Sequence, residues 1–205
     1  LLDINRGNRI MTVSSFASKS AGLSEYIKTR VDATDEMKAA NFAQGDIITT
    51  VLTCARGETI LLRLDTTLPR SYSRDFTVRG TKGLYMQDTN SVFLDGDEES
   101  FEPVEYYKKA LNNAVKFEDE YLPGIWKNVT EETLKAGHGG MDWFAYMGFT
   151  NALINGEEMP IDVYDAATWQ AVAVLSEMSI KQGGAPQIMP DFTNGKWFKR
   201  PRKDV

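Results

Sequence analysis

The segment Gly137-His138-Gly139-Gly140-Met141-Asp142 carries the chain's single histidine in a glycine-rich turn, directly before an apolar stretch of helical character. Glycine lets backbone approach a ligand closely, and a helix start offers N–H groups that no intrahelical carbonyl takes. In that setting His138 can bond a hydroxyl or shuttle a proton, and the Asp142 carboxylate can accept two hydrogen bonds from sugar hydroxyls. The same residues also suit a plain helix-start turn with a hydrogen-bonded histidine, so the segment by itself leaves both roles open.

A second chemical cluster is Leu68-Pro69-Arg70-Ser71-Tyr72-Ser73-Arg74. Arg70 and Arg74 each present a fixed fork of donors, and Tyr72 puts a hydroxyl on an apolar ring, a combination useful against carbohydrate. The alternative is a strand connection with surface arginines, since exposed charge is the norm. Of Trp126, Trp143, Trp169 and Trp197, the second and third lie in apolar helical stretches and are expected in the core. Lys199-Arg200-Pro201-Arg202-Lys203 falls in a basic tail, 198–205, and reads as a solvated end after a domain spanning 1–197.

Several kinds of chemistry have no residues to run on. Asp142 stands where the third glycine of a Gly-x-Gly-x-x-Gly series would follow Gly137 and Gly139, and no strand leads into it. There is no Walker loop and no Gly-x-Ser-x-Gly elbow. One histidine cannot build a multi-histidine metal site, and Cys54, the single cysteine, rules out an internal disulfide or a zinc site of several thiolates, so no metal is expected. The chain taken alone lacks a complete catalytic set.

The elements that must position these residues divide in two. Residues 9–16, 46–55, 59–67, 73–79, 84–87 and 91–94 are rich in β-branched or alternating apolar residues and read as strands, with turns at Arg56-Gly57 and Gly80-Thr81-Lys82-Gly83. Residues 17–40 read as polar loop with a helical turn near 23–28. After the acidic segment 95–102 the pattern turns helical, over 104–121, 141–154 and 163–180, the last capped by Asp162 with Asp165 in its first turn. Strands followed by helices predict an α+β fold: an open-faced, mainly antiparallel β-sheet with helices packed on one face.

The 205 residues suffice for one well-packed domain, and 42% hydrophobic residues can fill its core. A net charge of −6 argues against nucleic acid as a partner. No apolar run is longer than the five residues of 171–175, far short of the roughly 20 residues that span a bilayer, so no membrane partner is expected. The opening Leu1-Leu2-Asp3 has neither an initiator methionine nor a leader pattern, and the chain reads as a fragment.

Read together, seven segments resemble one family. They are Leu2-Asp3-Ile4-Asn5-Arg6-Gly7-Asn8-Arg9, Ser15-Phe16-Ala17-Ser18-Lys19-Ser20, Asp65-Thr66-Thr67-Leu68-Pro69-Arg70 and Val78-Arg79-Gly80-Thr81-Lys82-Gly83, with His138-Gly139-Gly140-Met141-Asp142, Pro160-Ile161-Asp162-Val163-Tyr164-Asp165-Ala166-Ala167 and Pro190-Asp191-Phe192-Thr193-Asn194-Gly195-Lys196-Trp197. The set resembles the C-terminal domain of glycoside hydrolase family 109, the NAD-dependent α-N-acetylgalactosaminidases, within the glucose–fructose oxidoreductase and inositol dehydrogenase superfamily. The resemblance implies a substrate-binding and oligomerisation domain whose sheet face pairs in a homo-oligomer, following a Rossmann domain that holds most of the NAD and is absent here. It implies Tyr72 as a catalytic tyrosine contacting the sugar, with His138 and Asp142 as substrate-binding pocket residues and an amino-sugar glycoside as substrate; the donor forks of Arg70 and Arg74 beside Tyr72 make those two substrate-binding candidates as well. The implied route is oxidation, elimination, hydration and reduction, which needs no pair of carboxylates flanking the bond. It also implies an extracytoplasmic, periplasmic location. Two alternatives keep the fold: the same domain of an NAD(P)-dependent sugar dehydrogenase, or an isolated, non-catalytic association module.

Overall fold

The computed structural model describes residues 1–97, 103–127 and 129–203. In chain order these form β1 (Ile10–Ala17), α1 (Gly22–Thr29), α2 (Asp35–Ala39), β2 (Ile47–Cys54), β3 (Thr59–Asp65), β4 (Thr77–Arg79), β5 (Gly83–Met86), β6 (Ser91–Leu94), α3 (Pro103–Ala110), α4 (Glu118–Tyr121), α5 (Gly124–Lys127), α6 (Glu131–Lys135), α7 (Met141–Asn155), α8 (Val163–Lys181) and β7 (Gln187–Ile188). The fold is α+β with open antiparallel sheets, as the strand and helix patterns predict. The chain divides into two compact units, Leu1–Pro69 with Met147–Val205, and Arg70–Tyr146.

The first unit is built on a four-stranded antiparallel sheet in the order β3-β2-β1-β7. Val13 lies opposite Leu52, and Leu52 opposite Ile60, so one face of the pleat collects apolar side chains. Those residues join Ile10, Cys54, Met189 and Leu175 of α8 in the core. Beside it runs a polar seam: Ser15 N–H donates to Ser179 Oγ at 2.9 Å, and the Ser15 and Thr50 hydroxyls meet at 2.7 Å. The side of α8 on the sheet is thus partly small and polar, with Thr168, Ser176 and Ser179 buried. Trp169, one residue and about 100° round the helix from Thr168, is 57% exposed rather than core. The helix is apolar on more than one side, and the sheet covers only one of them.

The start of α8 anchors both ends of this unit. Asp162 accepts from the Tyr164 and Asp165 N–H groups in a capping box. Arg6 forks onto Asp165 at 3.0 and 2.9 Å and reaches Asp162 at 3.0 Å, while Asn5 donates to Asp165 and Thr168. The expected solvated tail is pinned instead. Arg200 pairs with Asp162 and lies over the Tyr164 ring, Arg202 pairs with Asp3 at 3.0 Å, and Lys203 donates to the Met159 carbonyl at 2.6 Å. A carboxylate already buried at a helix cap is what draws the arginines in.

The polar stretch 17–40 holds two helices, α1 and α2, where loop with one turn is expected. Asp46 accepts from the Ala21 and Gly22 N–H groups at 2.8 and 2.9 Å and caps α1 from a distant part of the chain. The Thr34 hydroxyl caps α2.

The second unit has a three-stranded antiparallel sheet, β4-β5-β6. The strand expected over 73–79 shortens to β4, because Asp75 takes φ +50° and its N–H folds back onto Ser73 Oγ at 2.7 Å. The helix expected over 104–121 splits into α3, a 3-10 turn at Asn113–Phe117, and α4. Asn112 is left-handed at φ +59°, and the Asn113 amide bonds both the N–H and the carbonyl of Val92 at 2.6 and 2.8 Å, standing in for a strand partner. Residues 98–102 of the acidic segment and 204–205 of the tail lie outside the described residues.

Candidate functional site

All five candidate site residues fall in the second unit, on two loops with different supports. The loop at 70–76 is held by the sheet that follows it. Gln87 N–H donates to the Phe76 carbonyl at 2.9 Å, the Phe76 ring meets Tyr85 edge-on at 6.3 Å, and the Ser73 hydroxyl donates to the Asp88 carboxylate at 2.5 Å. Ser71, Tyr72, Ser73, Arg74, Gln87 and Asp88 line an open cleft of about 520 Å³. Tyr72 is 86% exposed there, and its hydroxyl oxygen accepts from Arg74 Nε at 3.3 Å. Arg70 is exposed at the start of the loop and is not among the cleft's lining side chains.

The second loop runs from α6 into α7. Gly140 N–H donates to the Gly137 carbonyl at 2.8 Å, making a tight turn in which His138 takes φ +42°. A left-handed histidine is uncommon, and such local strain gathers at functional sites. The ring's Nδ1 lies 2.8 Å from Asp142 Oδ2. This contact needs Gly137, since a Cβ there would come within 2.5 Å of that oxygen and the backbone has φ +89°. The carboxylate takes the hydrogen of Nδ1, so the neutral ring presents its lone pair at Nε2, and the protonated ring presents a donor there. Nε2 has no partner among the described residues, and the side chains of His138 and Asp142 are 76% and 62% exposed. Trp143 is exposed at the start of α7, where core burial is expected; α7 is apolar around its circumference and Phe144, packed on Trp126 at 4.5 Å, takes the inward place.

One side chain links the loops. The Nη1 and Nη2 atoms of Arg74 lie 3.8 and 3.9 Å from the Met141 sulfur, the residue before Asp142. The structure therefore gathers Tyr72, Arg74, His138 and Asp142 on adjoining segments of one unit and leaves Arg70 beside the cleft. Sequence reasoning passes over Met141, Gln87 and Asp88, whose partners are 67, 11 and 15 residues away or belong to loop backbone. The one local signal is the turn-forming Asp88-Thr89-Asn90 after a strand.

The family described as Glycosyl hydrolase 109, C-terminal domain, matches residues 1–199. The chain belongs to glycoside hydrolase family 109. It is 43% identical over 198 residues to a glycosyl hydrolase family 109 protein of Stenotrophomonas maltophilia, covering 96% of this chain and 42% of the relative. It is 38% identical over 202 residues to an alpha-N-acetylgalactosaminidase of Tannerella forsythia, covering 97% and 41%. This family-109 chain thus spans about two fifths of the length of the curated relatives it matches. Among solved structures it is similar to an oxidoreductase domain protein from Kribbella flavida, with a TM-score of 0.53 at 16% identity, covering 90% of this chain and 47% of that one. That likeness shows the shared fold.

A dinucleotide cradle does not fit the family-109 residues present. The glycine turn follows α6 rather than a strand, and the Asp142 carboxylate stands against Gly137, where it would repel a diphosphate. Among the described residues, no group of three or more His, Cys, Asp or Glu could hold a metal ion.

Proposed function

We propose that this domain binds the sugar of an N-acetylgalactosaminide within a larger glycosidase, and that His138, held by Asp142, passes a proton to the glycosidic oxygen as the aglycone leaves. The observation that carries this reading is the 2.8 Å contact between Nδ1 and Asp142, on a turn strained at His138 and kept clear for the carboxylate by Gly137. With the Asp142 carboxylate on Nδ1, Nε2 is the ring nitrogen left to meet the departing oxygen, and a protonated ring gives its hydrogen there. Tyr72 and the polar wall of its cleft supply hydrogen bonds to sugar hydroxyls, and Tyr72 is open enough to meet one. The substrate class comes from the relatives named as alpha-N-acetylgalactosaminidases.

The NAD implied by the family resemblance is assigned to a dinucleotide domain outside this chain. Homo-oligomerisation is assigned to the open face of β3-β2-β1-β7, where Leu61 and Ile188 stand exposed. We propose, from the family resemblance, that the parent protein works outside the cytoplasm, which fractionation of the producing cells checks.

The test is to assay the full-length protein on an aryl α-N-acetylgalactosaminide with and without added NAD. NAD-dependent release of the aglycone, lost on Tyr72→Phe, supports the reading. NADH accumulating on free sugar, with no aglycone released, moves the parent to a sugar dehydrogenase and overturns it.

A further inference from the structure

Arg74 sits where its planar fork touches both loops of the site. Its Nε donates to the Tyr72 hydroxyl oxygen at 3.3 Å, and its terminal nitrogens face the Met141 sulfur at 3.8 and 3.9 Å. Among the described residues no carboxylate pairs with it. The terminal nitrogens donate to the Met141 sulfur, a weak acceptor, while Nε donates to Tyr72, so one planar group spans the two loops. A phenol has one hydrogen to give. With the oxygen accepting from Arg74, that hydrogen is free to turn into the cleft lined by Ser71, Ser73, Gln87 and Asp88.

We propose that Arg74 is a positioning residue that holds the Tyr72 hydroxyl as a donor facing the cleft and ties the 70–76 loop to the turn bearing His138 and Asp142. The role differs from direct sugar binding, the role that the residue chemistry of the 68–74 segment suggests for Arg74. It rests on the reading that Tyr72 meets the sugar. Lysine cannot take the place of the fork, because a single ammonium has no set of donors fixed in one plane to reach Tyr72 and Met141 together.

A double-mutant cycle in the full-length protein tests it, on the aryl α-N-acetylgalactosaminide. Arg74→Ala lowers kcat by about tenfold, the low end for loss of an exposed charged hydrogen bond, with KM changed far less. In the Tyr72→Phe background the same substitution costs less than about twofold, because its target is gone. Arg74→Lys does not restore the rate, and added guanidinium partly restores Arg74→Ala only while Tyr72 is present. Equal losses in both backgrounds would mean that Arg74 touches the substrate itself, and would overturn the proposal. A second readout needs no activity: the ring 13Cζ signal of Tyr72, identified by its absence in Tyr72→Phe, shifts in Arg74→Ala. An unmoved signal overturns the proposal, whereas a shifted signal in a protein that hydrolyses nothing leaves Arg74 in place and removes only the glycosidase reading.

Discussion

Replacing Arg6 by methionine strips the charge from the best-connected ion pair of the first unit while keeping the unbranched stem. Arg6 makes two bonds to Asp165, at 3.0 and 2.9 Å, and one to Asp162, at 3.0 Å, with about nine-tenths of each of the Arg6 and Asp165 side chains buried. After the change Asp165 keeps only the Asn5 amide and the Asp162 N–H, at 3.3 and 3.2 Å, while Asp162 keeps Arg200. Breaking one side of a buried pair costs about 3–5 kcal/mol, because a carboxylate is left without its counter-charge. For a chain of this length that is a fall in Tm of roughly 6–20 °C. Burial, the largest single influence, pushes the Asp165 carboxyl up; the bonds from Arg6, the Asp162 backbone and Asn5 together outweigh it and hold the group below the ordinary carboxylate range. A carboxyl held low in the folded state adds stability that is fully present above the unfolded value of about 4, and lost as pH falls through the folded value. The gap between wild type and Arg6→Met is therefore widest at neutral pH and narrows as the solution is acidified below about pH 4. Urea unfolding followed by tryptophan fluorescence at several pH values measures it. A gap under about 1 kcal/mol at neutral pH, or one that widens on acidification, would refute the reasoning.

Three further outcomes are expected. Asp46→Asn destabilises the protein at neutral pH and flattens its stability on acidification below about pH 4, because hydrogen bonds from the Gly22 and Ala21 backbone hold the Asp46 carboxyl low and that stabilisation is lost as the carboxyl is protonated; urea titrations across that range show it. Gly137→Ala displaces the Asp142 carboxylate and strains the turn, so full-length activity falls by about a hundredfold, the scale of a misplaced catalytic group, while the melting temperature of the first unit holds. Asp142→Asn alters an exposed contact worth about 1 kcal/mol or less, so Tm barely moves, yet activity falls about fivefold.

How much of this was legible depends on the range of the contacts involved. The β2–β3 hairpin around Arg56-Gly57 and the capped start of α8 at Asp162 are local patterns, and they stand where the sequence puts them. Asn112 and Asn113 break a continuous helical pattern because of partners on Asn90 and Val92, about twenty residues back, which no window of helix propensity contains. The pinned tail and the Arg6 fork join residues from 38 positions apart, Arg200 with Asp162, to the two ends of the chain, Arg202 with Asp3. Trp169 reads as core because its neighbours are apolar, but burial depends on which side of α8 meets the sheet. At the site, residue type and glycine spacing singled out His138, Asp142 and Tyr72; their assembly through Arg74 and Met141 is tertiary and leaves no local trace.

The claim at the centre is that His138 protonates the departing oxygen, and leaving-group dependence tests it most directly. Full-length wild type and His138→Ala are compared on two α-N-acetylgalactosaminides, one with a dinitrophenyl group that leaves without help and one with a methyl group that needs a proton. The account predicts that His138→Ala loses little rate on the first and at least about a hundredfold on the second. Equal losses on both would place His138 in binding or in the turn's structure, and would contradict the account.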